Sequence, residues 1–155
     1  MKTIITFGTF DVFHIGHLRI LERAAQLGER LIVGISSDAL NMQKKGRMPV
    51  YSQSDRMGIV AGLKCVDSVF LEESLEKKSD YIRQFNADTL VMGDDWAGRF
   101  DSLSYLCEVV YFPRTPSIST TSIIEVVKNG ACITTSTECS VFPCNSGAIE
   151  ILLLE

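Results

Sequence analysis

Residues 3–36, TIITFGTFDVFHIGHLRILERAAQLGERLIVGIS, carry the pattern from which the fold follows. Thr3 to Phe7 is a β-rich apolar run ending at Gly8, as expected of a strand buried on both faces. From Ile15 to Leu27, Leu18, Leu21, Ala24, Ala25 and Leu27 recur at helical spacing. Arg19, Glu22, Arg23 and Gln26 take the opposite face, and Gly28 supplies a helix stop. Arg30 to Ser36 is a second buried strand. Strand, helix and strand in this span make a βαβ unit with a right-handed crossover.

The alternation continues downstream. Gln43-Lys44-Lys45-Gly46-Arg47 reads as a basic loop closed by Pro49, and Ser52 to Asp55 offers N-caps for a helix to about Leu63. Ser68 to Leu71 and Thr89 to Met92 are short strands flanking a helix expected within Leu75 to Phe85. Cys107 to Phe112 is a fifth strand, and Ser119-Thr120-Thr121 opens a last helix reaching about Lys128. The expected class is α/β: a doubly wound, Rossmann-like, five-stranded parallel sheet with helices on both faces, formed by residues 1–129. Ligands of such sheets bind beyond the carboxyl ends of the strands, where the strand order switches. The polar, glycine-bearing segments of this chain fall at those ends.

Composition narrows the function. The chain has 155 residues, 46% of them apolar, enough for one domain with its own core. No window approaches the roughly 18 uninterrupted apolar residues of a membrane helix, and Met1 to Ile5 is too short a run for a secretory signal. No membrane insertion and a cytoplasmic location are therefore expected. A net charge of −4 argues against general nucleic-acid binding, so any anion site is local. Cys65 and Cys107 read as buried reduced thiols. No lysine or arginine follows Lys128, and residues 130–155 form an extension with no assigned role. Its Cys132, Cys139 and Cys144 lack the Cys-x2-Cys spacing of a zinc site.

Both histidines, His14 and His17, fall at the expected start of the first helix and share one face. They could be zinc ligands, packed core side chains or donors to phosphate oxygens. Zinc would need a third partner that no other histidine supplies. Phosphate fits best, because Gly16 leaves room for close approach and the free N–H groups of a helix start favour an anion. A second candidate half-site is Arg114 ahead of Ser119, Thr120 and Thr121, which unites charge, hydroxyls and a helix N-terminus. The alternative there is a plain N-capped helix. Lys44, Lys45 and Arg47 could equally be a solvated basic loop, and Asp94-Asp95-Trp96 an ordinary turn. The chain has no Gly-x-Ser-x-Gly elbow and no Walker-type phosphate loop. Transfer to an acceptor that is already an anion needs neither, only positioning and charge neutralisation.

GTFDVFHIGH (residues 8–17) and RTPSIST (residues 114–120) resemble the paired signatures of the nucleotidyltransferase superfamily. LERAAQLGERLIVGISSD, VMGDDWAGRFD and CEVVYFPRT extend the resemblance, over about Met1 to Lys128, to the glycerol-3-phosphate cytidylyltransferase family. The resemblance implies transfer of CMP from CTP to sn-glycerol 3-phosphate with Mg²⁺, giving CDP-glycerol and pyrophosphate, in a homodimer. His14, His17, Lys44 and Arg114 would be the catalytic groups. Gly8, Thr9, Phe10, Gly16, Gly93, Asp94, Thr115, Ile118, Ser119 and Thr120 would bind the nucleotide. Asp11, Lys44 and Arg56 would hold the acceptor phosphate, and Asp11 the metal. The product class suggests a precursor of teichoic acid or another surface glycopolymer. Two rivals remain: nucleotidyl transfer, with ATP or CTP, to another polyol or sugar phosphate, and a nucleotide-binding regulatory protein without turnover.

Overall fold

The computed structural model describes residues 1–116 and 118–130. The elements run β1 (Thr3–Gly8), α1 (Ile15–Ala25), β2 (Arg30–Ser36), α2 (Asp38–Lys45), α3 (Gln53–Ala61) and β3 (Ser68–Glu72). They continue with α4 (Lys78–Gln84), β4 (Thr89–Gly93), short 3-10 turns at Asp94–Trp96 and Asp101–Tyr105, β5 (Glu108–Phe112) and α5 (Thr120–Asn129). The five strands form one sheet in the order β3-β2-β1-β4-β5, and every pair is parallel. The chain winds outward from β1 to β3, then returns to place β4 on the other side of β1. That switch opens a crevice at the carboxyl ends of β1 and β4.

Strand alternation divides the core into two layers. Ile5, Phe7, Ile32, Leu90 and Met92 face Tyr81 and Ile82 of α4. Ile4, Leu31, Val33, Ile35 and Val91 face Leu21 and Ala24 of α1 and Val60 of α3. Helices thus cover both faces, as the sequence led us to expect. Leu21, fully buried, contributes about 2–3 kcal/mol by its removal from water.

Two local expectations change. Gln43, Lys44 and Lys45 are the last turn of α2, not a loop; Ser37 caps the helix through Leu40 N–H, and Gly46, at φ 65°, ends it in the left-handed region. Helix α1 stops at Ala25, and Gly28 serves a different purpose from a helix stop. A Cβ there would lie 2.5 Å from the Lys2 carbonyl oxygen, which accepts from Glu29 and Arg30 N–H groups. Helix α4 lies within the span expected for it, residues 75–85. Cys107 is buried and Cys65 half-buried; both are free thiols, and burial raises the pKa of each. The extension with Cys132, Cys139 and Cys144 lies outside the described residues.

Candidate active site

A groove of about 570 Å³ lies over the carboxyl ends of β1 and β4. Its first wall is the turn after β1, with Gly8, Thr9, Phe10 and Asp11. Phe10 and Val12 have φ of 51° and 45°, a left-handed conformation that costs side-chain-bearing residues about 1–3 kcal/mol each. Tertiary bonds hold the turn in place. Thr9 Oγ1 bonds to Asn41 Oδ1 (2.7 Å), Arg56 Nη1 donates to the Thr9 carbonyl (2.7 Å), and Thr120 Oγ1 donates to the Asp11 carbonyl (3.0 Å). The Asp11 carboxylate accepts from the N–H groups of Val50 (2.8 Å) and Tyr51 (2.9 Å), tying the segment before α3 to the groove.

The start of α1 forms the base of this wall. His14 is the N-cap, and its Nδ1 accepts from Gly16 N–H at 3.1 Å. The ring proton therefore resides on Nε2. The His14 and His17 rings stack, with centroids 3.7 Å apart and planes 24° apart, and Phe10 meets His17 edge-on at 5.4 Å. His17 Nδ1 is buried without a hydrogen-bond partner. A Cβ on Gly16 would lie 2.9 Å from His14 Cε1 and 3.0 Å from Ile118 Cγ2, so this position accepts no side chain without displacing the ring.

Opposite, Arg114, Thr115, Ile118, Ser119 and Thr120 line the groove from the lead-in to α5. Ser119 forms a capping box with Ser122, leaving the helix start ordered and its dipole pointing into the groove. Arg114 is 66% exposed in its side chain and pairs with Asp95 at 2.6 Å, an ion pair weak enough to exchange for a phosphate. Arg23 steadies this segment, donating to the Pro113 carbonyl (3.1 Å) and stacking over Phe112. Lys44 enters from α2 and Gly93 from the end of β4.

Two predicted site residues stand elsewhere. Arg56 does not line the groove: it is fully buried, and its guanidinium donates to the carbonyls of Tyr51, Thr9 and Ser36 and to Asp38 Oδ1. These internal bonds tie the turn after β1 to the end of β2 and to the segment before α3. Asp94 is exposed, and its neighbours Asp95 and Trp96 line the groove instead. Among the described residues no three His, Cys, Asp or Glu side chains are grouped as metal ligands.

The family model described as cytidylyltransferase-like matches residues 5–126, which hold both walls of the groove. The chain belongs to the cytidylyltransferase-like family. It is 49% identical over 127 residues to glycerol-3-phosphate cytidylyltransferase of Bacillus subtilis (strain 168), covering 82% of this chain and 98% of that protein. The enzyme of the same description from Staphylococcus aureus is 42% identical over 123 residues, 79% of this chain and 92% of that protein. The crystal structure of a lipopolysaccharide core biosynthesis protein from Thermoplasma volcanium superposes with a TM-score of 0.64 at 21% identity, covering 74% of this chain and 98% of that one, and shares the fold.

In this cytidylyltransferase-like chain the charges of the groove are tuned by burial. Burial lowers the pKa of His14; it lowers that of His17 further, to about 3, helped by the neighbouring His14. Both rings are neutral at pH 7 and offer N–H groups rather than charge. Positive charge comes from Lys44, Lys45, Arg47, Lys78 and Arg114, all of which line the groove. Burial lowers the pKa of Lys44 and Lys45, while Glu72 opposes the shift at Lys44. Sequence reasoning missed Ser36, Glu72 and Lys78, which also line the groove. A polar residue ending each of two apolar strands was the available signal for Ser36 and Glu72. Lys78, on a polar helix, had none.

Proposed function

We propose that this protein transfers CMP from CTP to sn-glycerol 3-phosphate, giving CDP-glycerol and pyrophosphate. The observation that carries the proposal is the convergence of His14, His17, Lys44 and Arg114 on one groove at the strand-order switch. The identity to two glycerol-3-phosphate cytidylyltransferases supports the choice of nucleotide and acceptor. A phosphate oxygen of the acceptor forms the new bond to the α-phosphorus of CTP. The bond from that phosphorus to the α–β bridging oxygen breaks, and its electron pair leaves with pyrophosphate. A phosphomonoester is largely dianionic at neutral pH, so no protein nucleophile is needed.

The residues divide the remaining work. His14 Nε2–H donates toward the oxygens where charge grows, and His17 acts beside it. Lys44 bridges the attacking and transferred phosphates. Arg114, the α5 start and the Ser119–Thr120 hydroxyls hold the polyphosphate. Mg²⁺, when bound, neutralises phosphate charge. Asp11, a groove carboxylate already bonded to two amides, would fit an ion held chiefly by the nucleotide's own phosphates and by water. Homodimerisation, a cytoplasmic location and a role in supplying surface glycopolymers complete the proposal and rest on the resemblance. No helix among the described residues is long and apolar enough to cross a membrane.

Pyrophosphate release measured with four NTPs against glycerol 3-phosphate and several sugar phosphates tests this reading. Release only with CTP and glycerol 3-phosphate is expected. Turnover with ATP alone refutes the cytidylyl assignment, and no release with any pair favours a binding protein.

A further inference from the structure

The floor of the groove holds a buried charge relay. Ser36 and Glu72 are register partners, the last residues of β2 and β3. Both are almost wholly buried, at 0% and 1% exposure, and Ser36 Oγ donates to Glu72 Oε2 at 2.7 Å. On one side Lys78 Nζ, at the start of α4, donates to Glu72 Oε1 and lies 3.5 Å from the centroid of the Phe7 ring. On the other side Lys44 Nζ donates to Ser36 Oγ at 3.0 Å. The serine hydroxyl has one proton. Spending it on Glu72 leaves its lone pairs for Lys44, so the carboxylate dictates how the hydroxyl is turned.

We propose that Ser36 and Glu72 are positioning residues for transfer, fixing the Lys44 ammonium at the groove floor, with Lys78 as the counter-ion that lets the buried carboxylate stay charged. A lysine on a four-carbon stem loses much rotamer freedom when held in one place. Prepaying that cost in the free protein leaves Lys44 already aimed when charge develops on the phosphates. The cluster of Lys44, Glu72 and Lys78 carries one net positive charge. Lys78 Nζ is engaged by Glu72 and the Phe7 ring, whereas Lys44 Nζ rests on a neutral hydroxyl.

The inference rests on the transfer reading, and a mutant cycle separates the two. Steady-state pyrophosphate release is measured for wild type, Ser36→Ala, Ser36→Thr, Glu72→Gln, Lys44→Ala and the pairs of Lys44→Ala with Ser36→Ala and with Glu72→Gln, with whichever substrates the wild type uses and well below each Tm. Ser36→Ala is expected to lower kcat about tenfold with little change in KM for the nucleotide, and Ser36→Thr to restore it. In the Lys44→Ala background the same substitution should add almost nothing, because its target is gone. If Ser36→Ala does not fold, Glu72→Gln in the two backgrounds reads the same way. Equal losses with and without Lys44, or a lowered Tm with unchanged kcat, overturn the proposal. No wild-type turnover with any pair overturns the transfer reading and this proposal together.

Discussion

At the scale of single residues, His17 gives the sharpest tests. Its neutral ring faces charge only as the transition state forms, so His17→Ala should lose about a hundredfold in kcat while KM for CTP changes little. Steady-state kinetics check this, and an effect confined to KM would remove His17 from the chemistry. Its pKa of about 3 in the folded chain lies below the ordinary 6.5. Between those values the unfolded chain takes up a proton that the folded chain refuses. His17 thus subtracts stability as pH falls from 6.5 toward about 3, and has no such effect above that window. Urea midpoints followed from pH 7.5 down to about 4.5 should fall less steeply in His17→Gln than in the wild type. Arg56→Ala should cost about 3–5 kcal/mol, because it takes the ion-pair partner from Asp38 and the side-chain donor from the Tyr51 and Thr9 carbonyls, while the Ser36 carbonyl keeps only Asn41 Nδ2. Calorimetry would show the loss, while KM for the acceptor, measured in the cold, should hold.

At the scale of elements, the Asp11 carboxylate is the latch between the β1–α1 turn and the segment leading into α3. Asp11→Asn keeps one acceptor oxygen but turns an amide donor toward a backbone N–H. Hydrogen exchange at Val50 and Tyr51 should quicken several-fold, and unchanged protection would show that the latch is not what orders them. The legibility of the chain follows the same logic. β1, α1 and β2 could be read because each buries a stripe of the right period. Helix α2 could not: its buried residues are Leu40 and Asn41, so a polar side chain sits where an apolar mark was sought. The histidines and the α5 cap were found because motif and structure coincide within a few residues. That Arg56 stands outside the groove was not legible, because its partners, Thr9, Ser36 and Asp38, lie far from it in sequence and engage it internally.

At the scale of the molecule, the family match ends at residue 126 and the described helix α5 at Asn129. A chain cut after Gly130 should keep its kcat and its CTP KM, which a comparison with the full-length protein would check. Loss of activity would make residues 131–155 part of the working enzyme. The two walls of the groove meet only when β1 lies beside β4. That pairing joins Ile4 to Thr89 and closes a loop of 85 residues from Thr6 Oγ1 to the Val91 carbonyl. Such distant closure comes late in folding, after local helices and the neighbouring β1–β2 pair. Activity is therefore a clock. After dilution from urea, pyrophosphate release should return in step with this closure and behind the far-ultraviolet circular dichroism, timing the slowest contact in the chain through the reaction it makes possible.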